Sequence, residues 1–547
     1  MITGEQLCKR YEALGKTHNV MKNVWDSCLH MYMPEMQGIT YDNNHEGEKI
    51  QPVDFTGMYC AERLASGLFS NTVSMGDEFF GFRLNDPEFE EDTEIIDYFT
   101  EAAKSTLKYM QSSNFSLESY EMMVYYCSLM TGVLYSEFDS DLDSMVYENI
   151  PVSSCRISSD QYGKIRTVFR EFEMTAEACY LKWGDKCPKK IKDKANNEAM
   201  RYEQCKFFHA VFNNPDYKQD SLSSEHKKFA SYYVYVEDKE IIDASGYDTF
   251  PYAVPRFYVR AGNDYGRGVA FAALPALREL NALRQDMLDA IELGVQPPLL
   301  IPSTMEMDDI DIAPASIIPY DSMNGQPVFW PTQINLRDAK DHKMEIQDEI
   351  KDLFFVNLFM MLDQQKNMTA TEVMERVAEK VQAITPVITR LYNEFFSDVI
   401  ERTFLLLVEN GKIPDFPEQI KGKDFSISYT TKLDNKLKAL DTNQFMNAIR
   451  TAAEFKQMFV SDPELKYVFN ERKIIRRILQ NSNVEPDLLL DEDEGEAMRE
   501  ADQQAMAAAQ LQQTMLDKVN LAPIDLSKES ENISMPTIPD MMPEGVV

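Results

Sequence analysis

Asp139, Asp141 and Asp143 alternate with other residues as the first three ligands of a calcium-binding loop do. That chemistry also needs a glycine for the sharp turn and a bidentate glutamate at the twelfth position, where Ser144 and Ile150 stand instead. The run reads as a solvated acidic loop. Gly15-Lys16-Thr17 has the ending of a phosphate-binding loop, but the glycine required five positions before Gly15 is Arg10, and no strand leads in. A cradle of backbone N–H groups cannot form there. The six histidines, His18, His30, His45, His209, His226 and His342, include no HExxH spacing and none beside a cysteine pair. No GxSxG elbow occurs. With 90 acidic residues, close carboxylate pairs arise by chance. The residues therefore assign no catalytic group, no cofactor site and no metal site.

One charged pattern survives. Asp338, Asp341, Glu345, Asp348 and Asp352 are spaced three, four, three and four apart. At ~100° per residue they fall in one arc of roughly 80° on a helix. Ile346, Ile350 and Leu353 lie outside that arc. Like charges along one face weaken an isolated helix. A solvated surface face is the plain reading, and the lining of an acidic channel is the sharper one. The main basic exception, Arg472-Lys473-Ile474-Ile475-Arg476-Arg477, reads as an exposed helix face pairing with the abundant acids, with contact to DNA as the alternative.

Composition limits what could use such a stripe. The chain has 547 residues, 44% of them hydrophobic, with 55 Lys+Arg against 90 Asp+Glu and a formal charge of −35. A single core stops growing near ~250–300 residues, so two or more substructures are expected. So acidic a chain does not coat nucleic acid or read its sequence, because phosphate contacts need clustered cations. It can surround DNA without gripping it. The eight scattered cysteines form no CxxC pair and suggest a reducing compartment. Met1-Ile2-Thr3-Gly4-Glu5 lacks the regions of a signal peptide, and Phe404-Leu405-Leu406-Leu407-Val408 is too short to span a bilayer. A protein made in the cytoplasm, without a membrane anchor, is expected.

An α+β fold, mainly helical, must position these residues. Ile2 to about Leu134 reads helical, with Leu64 and Leu68, then Met122, Tyr126 and Leu129, on the helical period. The acidic patch Asp86 to Asp92 suits the positive end of a helix running through Ile95, Ile96, Tyr98 and Phe99. From Met145 to about Arg260 the period falls to two, with strands at Lys164–Arg170 and Tyr232–Val236 and a polar loop at Lys186–Asn197. A helix is predicted from Val269 to Leu293, then a Pro-rich insert with a turn at Asn324-Gly325, then a second helix from Leu336 to Leu362. After the polar loop Asp363–Asn367, Thr369 and Glu372 form a capping box, with Met368 and Val373 as its staple. That helix should continue to about Glu409, stop at Asn410-Gly411, and kink near Ile384, because Pro386 removes a donor and clashes with the preceding turn. Phe425–Thr431 reads as a strand and Asp441 to about Gln480 as two short helices. Glu485–Glu500 is strongly acidic, Ala501–Met515 is Ala/Gln-rich and helical by propensity, and the Pro-containing end from Pro523 reads as mobile.

Several segments, taken in order, resemble the portal family of short-tailed phages, the head-to-tail connectors. Asp54-Phe55-Thr56-Gly57 with Ala61 to Leu68 is similar to its "DSTG…LAS-L" stretch, with Phe55 in place of the serine. Phe79 to Leu84 resembles its "WF-L" segment, with Phe79 in place of the tryptophan. Gly163–Phe172 with Met174-Thr175-Ala176, Tyr265-Gly266-Arg267-Gly268 with Leu274-Pro275 and Leu280-Asn281, Gln296–Pro302, Met368–Val373, Pro386 and Ile400–Gly411 continue the series. The resemblance spans roughly Tyr11 to Pro417.

The resemblance implies a portal subunit built of wing, stem, clip and crown, closing into a ring of about twelve copies, a homo-oligomeric dodecamer. Wing would be 1–268 and 369–432, stem helices 269–293 and 336–362, clip 294–335, tunnel loop 363–368, crown 433–484 and C-terminal extension 485–547. The tunnel loop would bring Gln364, Gln365, Lys366 and Asn367 nearest the DNA, and the acidic stripe would become the channel wall. It further implies a capsid-vertex location in the virion, after assembly in the host cytoplasm. Implied partners are the packaging ATPase (large terminase), a tail adaptor, the major capsid and scaffolding proteins, and double-stranded DNA passing without sequence readout. The alternatives are another virion assembly protein, an adaptor or internal head protein, and a cation-dependent hydrolase built on Asp139, Asp141 and Asp143.

Overall fold

The computed structural model describes residues 2–36, 52–73, 78–85, 92–218, 223–302, 314, 316–320, 328–329, 336–363, 382–420 and 424–429. The chain divides into two compact units, Met1–Leu440 and Asp441–Val547. All described residues belong to the first.

Four helices dominate the N-terminal stretch, as the period predicts: α1 (Gly4–Tyr32), α2 (Thr56–Thr72), α3 (Thr93–Ser112) and α4 (Phe115–Leu129). Thr3 opens α1 with a capping box closed by Gln6, and the Asp92 side chain accepts from the Glu94 N–H to open α3. Between α2 and α3 runs β1 (Phe80–Leu84), which pairs antiparallel with the distant β13 (Phe425–Tyr429), Phe82 facing Ile427. β2 (Leu134–Asp139) and β3 (Ser144–Asn149) form a hairpin that β9 (Tyr252–Ala253) extends. β4 (Cys155–Ser159), β5 (Ile165–Thr175), β6 (Gln204–Asn213), β7 (Phe229–Tyr235) and β8 (Glu240–Tyr247) make a five-stranded antiparallel sheet in sequence order.

α5 (Ala176–Trp183) and α6 (Lys189–Asn196) are inserted between β5 and β6. The polar stretch expected as a loop at Lys186–Asn197 thus folds as α6. Its charge masks one short apolar row, Ile191 and Ala195, four apart and buried with Phe207 and Tyr235. On β6, His209 is buried, stacked on Tyr233 at 4.2 Å, with Nδ1 2.6 Å from Tyr252 Oη and Nε2 2.9 Å from Ser231 Oγ. Burial, helped by the charges of Arg170 and Lys182, pushes its pKa down to about 3. An unfolded histidine takes up its proton near pH ~6.5, so between about 6.5 and 3 the unfolded chain binds the extra proton. The stabilisation from keeping His209 neutral is complete above pH ~6.5 and is lost as pH falls through that window, by about 1.4 kcal/mol per unit. Urea melts at pH 7 and pH 4.5 should show a smaller acid loss for His209→Gln than for the parent chain. Equal losses would place the acid sensitivity elsewhere.

α7 (Val269–Val295) is followed by a three-stranded sheet in which β10 (Leu299–Pro302) lies between β11 (Ile317–Tyr320, parallel) and β12 (Val328–Phe329, antiparallel). The helix after it is not continuous to Leu362. α8 (Leu336–Leu353) ends, Phe355 turns through φ +55°, and α9 (Val356–Asp363) begins. A positive φ is costly for a bulky residue. The turn carries Phe354 into the core beside Tyr32 and seats Phe359 against α2, where a Cβ on Gly67 would lie 2.4 Å from the Phe359 ring. No glycine or proline in Leu353-Phe354-Phe355-Val356 announces this break. A helix over residues 382–391 (α10) passes through a π turn at Tyr392–Phe396 into α11 (Ser397–Glu409). Pro386 is exposed in α10, and the capping box at Thr369 and Glu372 falls outside the described residues.

Candidate functional site

The site is built on α7 and α8, which pack against each other. α7 is launched from Tyr265-Gly266-Arg267-Gly268. Tyr265 is buried, its ring 5.1 Å from Trp25, and its hydroxyl donates to the Cys155 carbonyl at 3.1 Å and accepts from the Ile157 N–H at 3.3 Å. The Gly266 N–H donates to Thr131 Oγ1 at 2.9 Å, and a Cβ on Gly266 would fall 1.9 Å from the Met130 carbonyl oxygen. Arg267 exchanges two 2.8 Å backbone hydrogen bonds with Tyr258. Gly268 has extended backbone, and a Cβ there would meet Met130 Sδ at 2.4 Å. The motif is a tight joint that fixes where α7 leaves the sheets.

A second clamp joins the helices. Asn281 Oδ1 on α7 accepts from the N–H groups of Val53 and Asp54 at 2.8 and 3.1 Å. The Asp54 carboxylate lies 3.2 Å from Lys343 Nζ on α8 and accepts from Gln347 Nε2, also at 3.2 Å. Gln347 donates to Thr56 Oγ1 as well, at 3.0 Å, and the Thr56 N–H and hydroxyl both donate to Asp54. Burial works to raise the Asp54 pKa, but the Thr56 hydrogen bonds and Lys343 outweigh it and hold the carboxyl below its ordinary value. The Asp54–Gly57 segment therefore pins α8 to α7.

The stripe lies on the other side of α8. Ile346 and Ile350 are buried, while Asp338, Asp341, Glu345, Asp348 and Asp352 are all exposed, so the helix sorts them as the spacing predicts. Glu349, also exposed, widens the acidic face and was not among the five. The face carries partners: Lys351 reaches Asp348 at 2.8 Å, His342 lies 3.6 Å from Glu345 and 3.4 Å from Glu279 on α7, and Asn357 donates to Asp352 at 2.7 Å. Gln364, Gln365, Lys366 and Asn367, and the basic run from Arg472 to Arg477, lie outside the described residues.

The other candidates have structural uses. Asp139 Oδ1 accepts from the N–H groups of Asp141 and Leu142 at 2.8 and 3.2 Å, and Asp143 pairs with Lys412 at 2.5 Å, so these carboxylates serve the β2–β3 turn. Gly15 lies inside α1, where the Arg156 guanidinium would come within 2.6 Å of a Cβ. Sequence reasoning missed the ion network at the π turn. Glu394 accepts from the Arg256 N–H at 3.0 Å, from Arg256 Nε at 3.1 Å and Nη2 at 2.7 Å, and from Arg390 Nη1 at 2.8 Å. Arg256 Nη2 also donates to the Gly163 carbonyl at 2.6 Å. The i,i+4 spacing of Arg390 and Glu394 was the only signal in the sequence, since Arg256 lies 138 residues away from Glu394.

A family model described as bacteriophage head to tail connecting protein matches residues 4–489. The chain belongs to that family. It is 25% identical over 547 residues to a probable portal protein of Bordetella phage BPP-1, covering 96% of both chains. It is 23% identical over 524 residues to the portal protein of Salmonella phage epsilon15, covering 92% of both. The connector family is structural, so the portal reading stands over the adaptor and hydrolase alternatives, and the chain is not an enzyme. Portal proteins are virion components at the capsid vertex, where head meets tail. Among the described residues no helix is long and apolar enough to cross a membrane.

Proposed function

We propose that copies of this connector close into a ring of about twelve whose bore is faced by the acidic side of α8. The observation that carries this reading is the sorting of α8: five carboxylates exposed on one side, and Ile346, Ile350 and the Asp54 clamp on the other. A helix pinned along its back presents its front in a fixed place. Over the 14 residue steps from Asp338 to Asp352 the stripe rises about 21 Å at ~1.5 Å per residue. Repeated around a ring, these charges repel phosphates evenly and leave a moving duplex few places to stick.

In this reading α7 and α8 are the stem, 294–335 the clip that docks the packaging ATPase (large terminase) and later the tail adaptor, and 363–368 the tunnel loop beside the DNA. The wing, 1–268 and 369–432, carries the outer contacts with major capsid and scaffolding proteins. Residues 433–484 form the crown and 485–547 extend beyond it, and α10 bends near Ile384, where Pro386 removes a backbone donor. The energy for moving DNA comes from the separate ATPase.

Changing Asp338, Asp341, Asp348 and Asp352 to Asn together with Glu345→Gln tests the wall. Rings of unchanged diameter should form, because no buried group is altered, while packaged or retained DNA should fall on the order of tenfold. Intact rings with normal DNA content would remove α8 from the bore.

A further inference from the structure

α5, α6 and the neighbouring end of the five-stranded sheet enclose a small separate core that contains three thiols, Cys179, Cys187 and Cys205. Cys179 Sγ lies 3.6 Å from Cys187 Sγ. The Cys187 thiol also donates to the Cys179 carbonyl at 3.3 Å. The chain returns on itself between them through Gly184, at φ +52°, a conformation glycine adopts freely. Two thiols in contact across a tight turn are placed to react with each other.

We propose that Cys179 and Cys187 are an oxidation site, at which a small peroxide converts the pair into an intrachain disulfide that staples α5 to the start of α6. Cys179 is fully enclosed and Cys187 is 5% exposed, so the oxidant meets Cys187 first. The Cys187 thiolate attacks one oxygen of hydrogen peroxide, the O–O bond breaks, and hydroxide leaves. The sulfur, oxidised by two electrons, becomes a sulfenic acid. Cys179 sulfur then attacks Cys187 sulfur, the S–O bond breaks, and water departs with the Cys179 proton. Two thiols and one peroxide give one disulfide and two waters. The sulfurs must close from 3.6 Å to a bond of about 2.05 Å, which asks movement of two side chains and of the Gly184–Cys187 turn. Burial pushes both thiols above their ordinary pKa, so little thiolate is present and the reaction is slow. In a reducing cytoplasm the pair stays as thiols; in oxidising surroundings it closes.

The test uses the full-length chain, treated with hydrogen peroxide, alkylated in denaturant and digested with trypsin without reduction. Cleavage after Lys182 and Lys186 puts the two cysteines on separate peptides. The expected product is those peptides joined, two hydrogens lighter than their sum, with alkylatable thiols falling from eight to six and Cys205 still alkylated. Cys205→Ser should keep the link. Cys179→Ser should lose it and leave Cys187 as a sulfenic acid that dimedone traps. All eight thiols still alkylatable, or Cys187 joined to Cys205 instead, would overturn the assignment. That result can be read from the parent chain alone, whether or not a variant folds.

Discussion

Arg256→Ala should cost about 3–5 kcal/mol of stability, measured by urea denaturation, because it takes most of its partners from a largely enclosed carboxylate. Arg256 is 2% exposed and Glu394 14%, so solvent does little to screen the loss. The substitution deletes two charge-assisted bonds to Glu394 and the bonds to the Gly163 and Asp264 carbonyls, and among the described residues leaves Glu394 its bond to Arg390 and the Arg256 backbone N–H. The cost comes from uncovering the partner, so removing both charges should cost less than removing one. Arg256→Met with Glu394→Leu should recover more than half of the loss. If the double variant is as unstable as Arg256→Ala alone, the network's value lies in packing at the π turn and not in charge.

Gly266→Ala should be comparably severe, at roughly 3 kcal/mol or more. The new methyl group would sit 1.9 Å from the Met130 carbonyl oxygen, a backbone atom, and the backbone alone fixes where a Cβ lies. No rotamer relieves it, so the joint ahead of α7 must open and give up the 2.9 Å bond from Gly266 N–H to Thr131. Gly294→Ala is the control. Gly294 lies near the end of α7 with nothing within 4 Å of a Cβ, so alanine there should raise stability by about 0.5–1 kcal/mol. Equal behaviour of the two variants in denaturation would show that the joint is not tight.

How much of this was legible in the sequence follows from how local each determinant is. The face sorting on α8 was readable because helical period and charge agree, and Ile346 and Ile350 needed only a partner surface. The sheet after β2 was readable from alternation. α6 was not, because six charged or amide residues hide the two apolar ones that hold it down. The α8–α9 break depends on where Phe354 and Phe359 find space against Tyr32 and Gly67, and nothing in the local sequence carries that information. The resemblance located Asp54 and Gly266, but their uses, as a clamp on Lys343 and Gln347 and as a Cβ-free contact with Met130, exist only once distant elements meet. Arg256 and Glu394 had no such guide.

The pairing of β1 with β13 has a consequence for biosynthesis. Phe82 and its partner Ile427 are 345 residues apart in sequence (427 − 82). At ~5–20 residues per second a ribosome needs on the order of 20–70 s between delivering the first strand and the second. For that interval an unpaired edge carrying Phe80, Phe82 and Leu84 stays open, and such edges invite pairing with other nascent chains. Chaperone protection during translation, or slow expression at low temperature, should therefore govern the yield of native protein more than its final stability does.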